Sequence, residues 1–439
     1  MYLISSGDTA TIVVSYVIAI RPGRVVSCRL RVRNIMVADT IKIASMRLYR
    51  VQIPMRMAFE HATRARERAQ SIVCQITLAD GIRGHGEGAP RPYVTGEDLD
   101  DCWRTLREVR LPAEFPVSAD ARALTRFVAA SVARIADEPD QTIRNAARTA
   151  LELALLDALG RSQRMRLSQL LGPQVGFTPP TRGRCHYSLV VGRGLVKARD
   201  VLVGLRDRYQ YRAVKLKVGF GLDEDLANLR SVRDIFGADV DIRVDANRSW
   251  SLIQAREFLT QAHHLGVREV EDPVRGATLT AMASALRALR RDGDCRVILD
   301  EPVRTVAEAR AAIAEGIVDV FNIRISKCGG LLESLRMASV ARDSQIDIQL
   351  GCQVGETAIL SAAGRIFAFA VDGLCHAEGS NEALKWLPEH HISAQDLTYG
   401  KYGAAPPLTG YGLAIDIIEE RLAALASEIV EVPVTRYQA

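Results

Sequence analysis

The sequence predicts a modified (β/α)8 TIM barrel preceded by an α+β capping domain, and three observations carry that expectation. Five ionisable residues, Lys217, Asp245, Glu271, Asp300 and Lys327, each close a short apolar run. Their steps of 28, 26, 29 and 27 residues match one strand–helix unit of a barrel. Segments with helical apolar spacing lie between them, and the stretch ahead of them carries the turn signals of an antiparallel sheet. Barrels do their chemistry at the C-terminal ends of their strands, so all five side chains are delivered to one rim.

Composition narrows the class. At 439 residues and 48% hydrophobic, the chain can bury a large core and is long enough for more than one domain. A net charge of +5, with no Lys- or Arg-rich block interleaved with aromatics, argues against nucleic-acid binding. The eight cysteines are scattered and form no C-x-x-C pair. That usage fits a reduced, cytoplasmic protein better than a disulfide scaffold or a zinc module. Cys328 and Cys352 fall at the expected rim, either as reactive thiols or, in the more ordinary reading, as small apolar fillers.

The elements follow in order. Residues 1–40 read as an extension. Its apolar run, 9–20, is too short to span a bilayer. No basic segment precedes the run and no A-x-A site follows, so an extra strand or a poorly ordered extension is expected rather than a signal peptide. The capping domain is placed at 41–172. Within it 45–53, 71–78 and 84–88 read as strands, and Asp80-Gly81 as a tight turn. Thr95-Gly-Glu-Asp98 reads as a capping box, and 142–159 as a long helix. The segment 54–70, PMRMAFEHATRARERAQ, reads as a mobile lid or as an Arg-rich solvated helix. The barrel is placed at 173–380. Its first strand is 186–191, the five motif strands follow, and 346–351 and 374–378 complete eight. Helices are expected at 222–236, 251–265 and 306–315. The segment 381–439 cannot add a barrel unit; with a helix at 415–425, it is expected to pack back on the capping domain and complete it.

The chemistry follows from strand geometry. Residues two apart on a strand share a face, so Lys215 joins Lys217, and Asn247 joins Asp245, inside the barrel. Neighbouring ammonium groups disfavour each other's protonation, which would draw one lysine toward neutrality and fit it to act as a base. Asp245, Glu271 and Asp300 offer three hard oxygen donors, a set suited to one Mg²⁺ with positions left for substrate or water. Each signal alone is weak, because acids at strand ends often cap helices or pair with cations. Five at the barrel repeat are not produced by those ordinary roles. Glu301, Gln353 and Glu378 are further candidates for contact with substrate, with loop capping as the plainer role of Glu378. The pairs His263-His264 and His390-His391 fall outside the rim pattern and read as surface residues.

With K-x-K, D-x-N, E-D-P, D-E-P and K-x-G-G in this order, the chain from about residue 41 onward resembles the enolase superfamily, and within it the mandelate racemase/muconate lactonizing enzyme family. Matched residue by residue, the resemblance implies Asp245, Glu271 and Asp300 as metal ligands. It implies Lys217 and Lys327 as an acid/base pair on opposite faces of the substrate carbon, and Lys215 as the electrostatic partner of Lys217. Lysines on both the second and sixth strands point to the muconate-lactonizing-like subgroup. The mandelate racemase type puts a His on the seventh strand, where this chain has QLGCQVGET with Gln353. Dipeptide epimerases usually carry Asp-x-Asp on the eighth strand; His376-Ala-Glu378 stands here instead and puts that substrate class in doubt.

The implied reaction is abstraction of the α-proton of a carboxylate to a metal-stabilised enediolate, as a racemase or epimerase. A muconate-type cycloisomerase is the alternative, with an o-succinylbenzoate-synthase-like lyase or a non-catalytic binding relative behind it. A Schiff-base aldolase would also present a barrel lysine, but it does not need three carboxylates at these spacings. The expected partners are a small carboxylate substrate and further copies of the chain in a homo-oligomer, with no nucleic acid and no membrane.

Overall fold

The computed structural model describes residues 2–5, 10–21, 24–35, 40–61, 64–116, 121–137, 142–175, 183–292, 295–380 and 387–434. The strands Tyr2–Ser5, Ala10–Arg21 and Arg24–Ile35 form a three-stranded antiparallel sheet, and residues 10–20 of the apolar run fall in its middle strand. A second antiparallel sheet runs, in spatial order, Ala426–Val432, Thr40–His61, Arg64–Leu78 and Arg83–Gly88.

Local chemistry explains this second sheet. At the Asp80-Gly81 turn Gly81 takes φ 86°, a left-handed angle that glycine adopts without strain. The Asp80 carboxylate accepts the Ile82 N–H at 3.0 Å and tightens the turn. The strand Arg83–Gly88 places glycines at alternate positions. A Cβ on Gly84, Gly86 or Gly88 would lie 2.2, 2.0 or 2.1 Å from the backbone of Ala158, Ala150 or Ala146. Four helical residues advance about 6 Å and two strand residues slightly more. The glycines therefore step in time with the alanines of the helix Asn145–Ser162, and the helix lies directly on the sheet.

Three expectations need correction here. The described residues of the segment 54–70 form strands, not a helix. The two long strands continue through it, with Pro54 opposite Arg68 and Phe59 opposite Arg66, and the register shifts between them. The capping box lies three residues later than expected. Asp98 accepts the Asp101 N–H at 2.8 Å and the Asp101 carboxylate returns to the Asp98 N–H at 3.2 Å, opening the helix Leu99–Glu108. Glu97 is drawn off to the start of the long helix, where Ala146 and Ala147 donate to it. That long helix begins at Asn145, not at 142.

The barrel strands are Leu189–Val191, Ala213–Lys217, Asp241–Asp245, Glu269–Glu271, Arg296–Leu299, Val320–Ile323, Asp347–Leu350 and Leu374–Ala377, all parallel and adjacent in chain order. The ring closes where Tyr187 bridges Ala377 and the Ser188 N–H donates to the Ala377 carbonyl at 2.8 Å. The first strand is shorter than expected, because Cys185–His186 turns away to pair with Ala404–Ala405. The helices Leu222–Phe236, Leu252–His264 and Val306–Ala314 stand where apolar spacing puts them, the last two opened by capping boxes at Ser251/Gln254 and Thr305/Glu308.

The α-helix expected at 415–425 is shorter, Glu419–Ala424; Ala426–Val432 then joins the edge of the Thr40–His61 strand. Two buried acids fasten the capping sheet and its helix to the barrel. Glu87 accepts the N–H groups of Thr357 and Leu360, at the start of Ala358–Ala368. Glu152 accepts the Leu332 N–H, at the start of Leu331–Asp343. Among the described residues no helix is long and apolar enough to cross a membrane.

Candidate active site

Register brings the motif residues to one level. Lys217 lies opposite Asp245, and Asp245 opposite Glu271. Glu271 pairs with Ile298, two residues before Asp300. Lys327 follows the sixth strand in a turn that ends at Gly329 and Gly330, both at positive φ. Lys215, Lys217, Asp245, Glu271, Asp300 and Lys327 are all buried.

The charges interlock. The Lys217 ammonium lies 2.5 Å from Asp245 and donates to Asn247 Oδ1 at 3.0 Å. Lys215 reaches Glu378 at 2.8 Å, Glu271 at 3.1 Å and Asp245 at 3.4 Å. Lys327 donates to the backbone carbonyls of Asp300 and Asn322 at 2.6 and 2.7 Å, with the Asp300 carboxylate at 3.1 Å. The substrate candidates join the same network. Asn247, at φ 45°, donates to Glu301 at 3.2 Å. Gln353 accepts from Arg324 at 3.3 Å. Glu378 pairs with Arg243 at 2.7 Å as well as with Lys215, so it meets cations of its own chain and does not cap a loop.

Four residues here escaped the sequence reading. Arg324 pairs with Asp300 and lies 4.0 Å from Glu271 and 3.9 Å from Glu301. Asn322 and Gln349 each donate to Glu271 at 2.9 Å. Arg243 also donates to Ser188 at 3.0 Å. Alternation would have found Arg243, which stands two before Asp245; Asn322 and Arg324 stand two apart at the end of the sixth strand, but at odd steps from Lys327.

Burial and neighbours set the protonation. Burial alone would lower Lys215, but Glu271, Glu378 and Asp245 outweigh it and hold the ammonium above its ordinary value. Burial holds Lys327 below its ordinary value, and Arg324 adds to that. Burial opposes ionisation of Glu271, yet Lys215, Lys217 and Arg324 keep it well below the carboxylate range. Burial and Glu271 push Asp245 up. The lowering expected between neighbouring ammonium groups does not hold for Lys215, which has Glu271 and Glu378 as partners and shares Asp245 with Lys217. Burial pushes the Cys328 thiol up, as befits a filler, and Cys352 is half-buried. His263 and His264 end a helix, away from the strand ends.

The rim fits a divalent cation in its donor chemistry. Three carboxylates stand on neighbouring strands, and the buried Asp300 carboxylate has the side-chain cations of Arg324 and Lys327 as partners, a position that suits a metal ion's charge. Among the described residues, the His and carboxylate ligand atoms that lie within 4.8 Å of one another belong instead to Asp241, Glu269 and His376. That cluster stands nearer the N-terminal ends of the strands. Its members are spoken for: His376 pairs with Glu269, which also holds Arg296 at 2.8 Å. In the rim set, Arg324 and the lysines stand among the acids.

Known proteins resemble the chain over most of its length. An N-succinyl-L-Arg/Lys racemase of Bacillus cereus is 27% identical over 391 residues, covering 87% of this chain and 97% of the relative. A dipeptide epimerase from Cytophaga hutchinsonii, solved with Mg and the dipeptide D-Ala-L-Val, superposes with TM-score 0.76 at 20% identity, covering 89% of this chain and all of that one. A 2-chloromuconate cycloisomerase from Rhodococcus opacus superposes with TM-score 0.75 at 22% identity, covering 88% and all of the respective chains. Residues 42–172 match the family described as mandelate racemase/muconate lactonizing enzyme, N-terminal domain, and 197–421 match enolase C-terminal domain-like. The chain belongs to the mandelate racemase/muconate lactonizing enzyme family of the enolase superfamily, whose relatives named above are isomerases.

Proposed function

We propose that this chain is a Mg²⁺-dependent racemase or epimerase that removes and returns the α-proton of a small carboxylate, an N-acylated amino acid in the first instance. One observation carries the reading. Lys217 ends the second strand and Lys327 follows the sixth, so in a closed ring of eight they stand on opposite sides. The three carboxylates occupy the third, fourth and fifth strand ends between them. A substrate carboxylate directed to that wall exposes its α-carbon to one amine on each face.

Asp245, Glu271 and Asp300 are the residues that would hold Mg²⁺, which when bound takes up charge building on the substrate carboxylate as the α-proton leaves. The two lysines do the proton work. Lys327, held below its ordinary value by burial, is suited to accept a proton. Lys217 delivers or takes one on the other face, steadied by Asn247. Lys215, locked between Glu271 and Glu378, positions the wall and does not transfer protons.

The eighth strand supports the substrate class. Glu378 is spent on Lys215 and Arg243 and is buried, which leaves no free acid there for a dipeptide's amine. An N-acyl group has no amine to satisfy, and the Bacillus cereus relative is named for such a substrate. Muconate-type cycloisomerisation is the second reading, favoured by the fold shared with the Rhodococcus enzyme. We divide the chain into a capping domain at 41–172, the barrel at 173–380 and the tail at 381–439, and expect copies to assemble as a homo-oligomer.

The test is incubation of N-succinyl-L- and N-succinyl-D-arginine with the full chain and Mg²⁺ in D₂O, reading α-deuterium by mass and inversion by chiral separation. Exchange with inversion supports the proposal. No exchange across a panel of N-acyl amino acids, together with lactone formation from cis,cis-muconate, replaces it with the second reading.

A further inference from the structure

We infer that the N-terminal face of the barrel carries a second binding site, for a small polyanion bearing several phosphate or carboxylate groups. A cleft of about 640 Å³ opens there, lined among the described residues by Arg268, Arg287, Arg290, Arg291 and Arg296 against two acids, Glu315 and Asp319. Arg296 opens the fifth strand whose far end carries Asp300, so the cleft and the catalytic rim occupy opposite ends of the same strands. The inference does not depend on the reaction proposed above.

The ion pairs do not cancel. Glu315 pairs with Arg287, and Asp319 with Arg290 at 2.6 Å. Arg296 is held by Glu269 and Asp347. Arg268 spends one nitrogen on the carbonyls of His263 and Val267, at 2.8 and 2.9 Å, which leaves its charge uncompensated. Arg291 forms no hydrogen bond or ion pair among the described residues and keeps all five of its donors.

A plainer role explains part of this arrangement. Arginines at helix C-termini satisfy final carbonyls and favour the helix dipole, and Arg268, Arg287 and Arg290 do bond such carbonyls. That role accounts neither for Arg291 nor for a cleft of this volume, which falls within the roughly 300–1,000 Å³ typical of small-molecule sites. Guanidinium groups match phosphate and carboxylate oxygens two at a time. A lone monoanion would fill little of the space and meet few of the forks, so the chemistry points to several anionic groups on one small molecule.

Calorimetric titration of the full chain in excess Mg²⁺ at physiological salt tests this, with inorganic tripolyphosphate and citrate as separate probes. Wild type should bind one equivalent of at least one probe. Arg268→Ser/Arg291→Ser, which alters two exposed side chains, should bind it about tenfold or more weakly. The melting temperature without anion and the Mg²⁺-dependent turnover should stay unchanged. Tighter tripolyphosphate binding identifies a phosphorylated ligand, and tighter citrate binding a polycarboxylate. Equal affinity in the variant, or no saturable heat with either probe, overturns the site. A changed sedimentation coefficient in the variant without anion binding by wild type also overturns it and marks the face as a contact between copies.

Discussion

Two sets of carboxylates are equally buried in this protein and differ in what they touch. Glu87, Glu97, Glu152 and Asp157 in the capping region are as inaccessible as Asp245, Glu271 and Asp300 at the rim. Each acid of the first set accepts backbone N–H groups: Glu97 from Ala146 and Ala147, Glu152 from Leu332, Asp157 from His85 and Leu413. Burial pushes all four up, Glu97 to about 7 and Glu152 to about 8. The rim acids meet lysine and arginine side chains, which of the first set Asp157 also does, through Arg161 at 2.8 Å. A backbone amide cannot leave its partner, whereas a side-chain cation can rotate away when a metal ion or a substrate arrives. The partner, more than the burial, separates an acid that holds the fold from one free to do chemistry. Asp245 shows that the division is one of degree, since it also accepts the Asn247 N–H at 2.9 Å.

The sharpest test sets one acid from each group against the other. Asp245→Asn, Glu271→Gln and Asp300→Asn should each lower kcat/KM by about 10³-fold or more, because charge stabilisation by a bound cation supplies several kcal/mol. Circular dichroism and melting should stay near wild type. Glu152→Gln should leave turnover within about threefold, since its role is a hydrogen bond that Gln can still accept. If folded Glu152→Gln loses as much activity as Glu271→Gln, the comparison fails.

The next largest effects belong to the two lysines. Lys217→Ala and Lys327→Ala should each abolish inversion, at a cost of roughly 10²- to 10⁴-fold. Each should keep α-proton exchange for one enantiomer only, because the surviving amine reaches one face. Stereospecific exchange measured on separate enantiomers checks this. Variants that are folded and metal-bound, yet exchange neither hand, would break the assignment of one amine per face.

Much of this was legible because a barrel repeats. Each strand that ends at the rim announces itself by an apolar run closed by a charge, and the interval is set by the length of one helix and its loops. The rim's inner partners were harder to see. Arg243, Asn322 and Gln349 sit inside strands and Arg324 just past one, as isolated polar residues; Arg243 stands two before Asp245, but Asn322 and Arg324 stand at odd steps from Lys327, so spacing does not mark them as facing inward. The segment 54–70 misled for another reason. Its alternation of Met55, Met57 and Phe59 with Arg56, Ala58 and Glu60 is a strand signal, but Pro54 and the arginine content outweighed it. The capping box slipped by three residues because Glu97 serves a helix some fifty residues away, a contact that spacing cannot show.

A smaller, pH-dependent effect separates the two sets again. Burial raises the Glu152 carboxyl from 4.5 to about 8, so the folded chain holds this proton more tightly than the unfolded chain. Its contribution is complete below about pH 4.5 and is lost as pH rises through 8. Wild type should therefore lose stability relative to Glu152→Gln between about pH 5 and pH 8.5, on the order of a few kcal/mol. Urea unfolding at both pH values measures the difference. Parallel pH slopes in the two proteins would show that this acid does not change protonation on folding.

The smallest effect comes from an acid that has a backbone partner but little burial. Asp98 is exposed and accepts the Asp101 N–H at 2.8 Å, at the positive end of the helix Leu99–Glu108. Asp98→Ala should cost about 1 kcal/mol, the ordinary value for loss of an N-cap. Asp98→Asn keeps an acceptor and loses only the charge, so it should cost a few tenths of a kcal/mol, and that part should shrink in high salt. Neither variant should change turnover, because the helix buries Cys102, Trp103 and Leu106 within the capping core, away from the rim. Urea unfolding at low and high salt resolves the two contributions. If Asp98→Ala cost no more than Asp98→Asn, the bond from the Asp101 N–H would carry no stability at this exposed helix start.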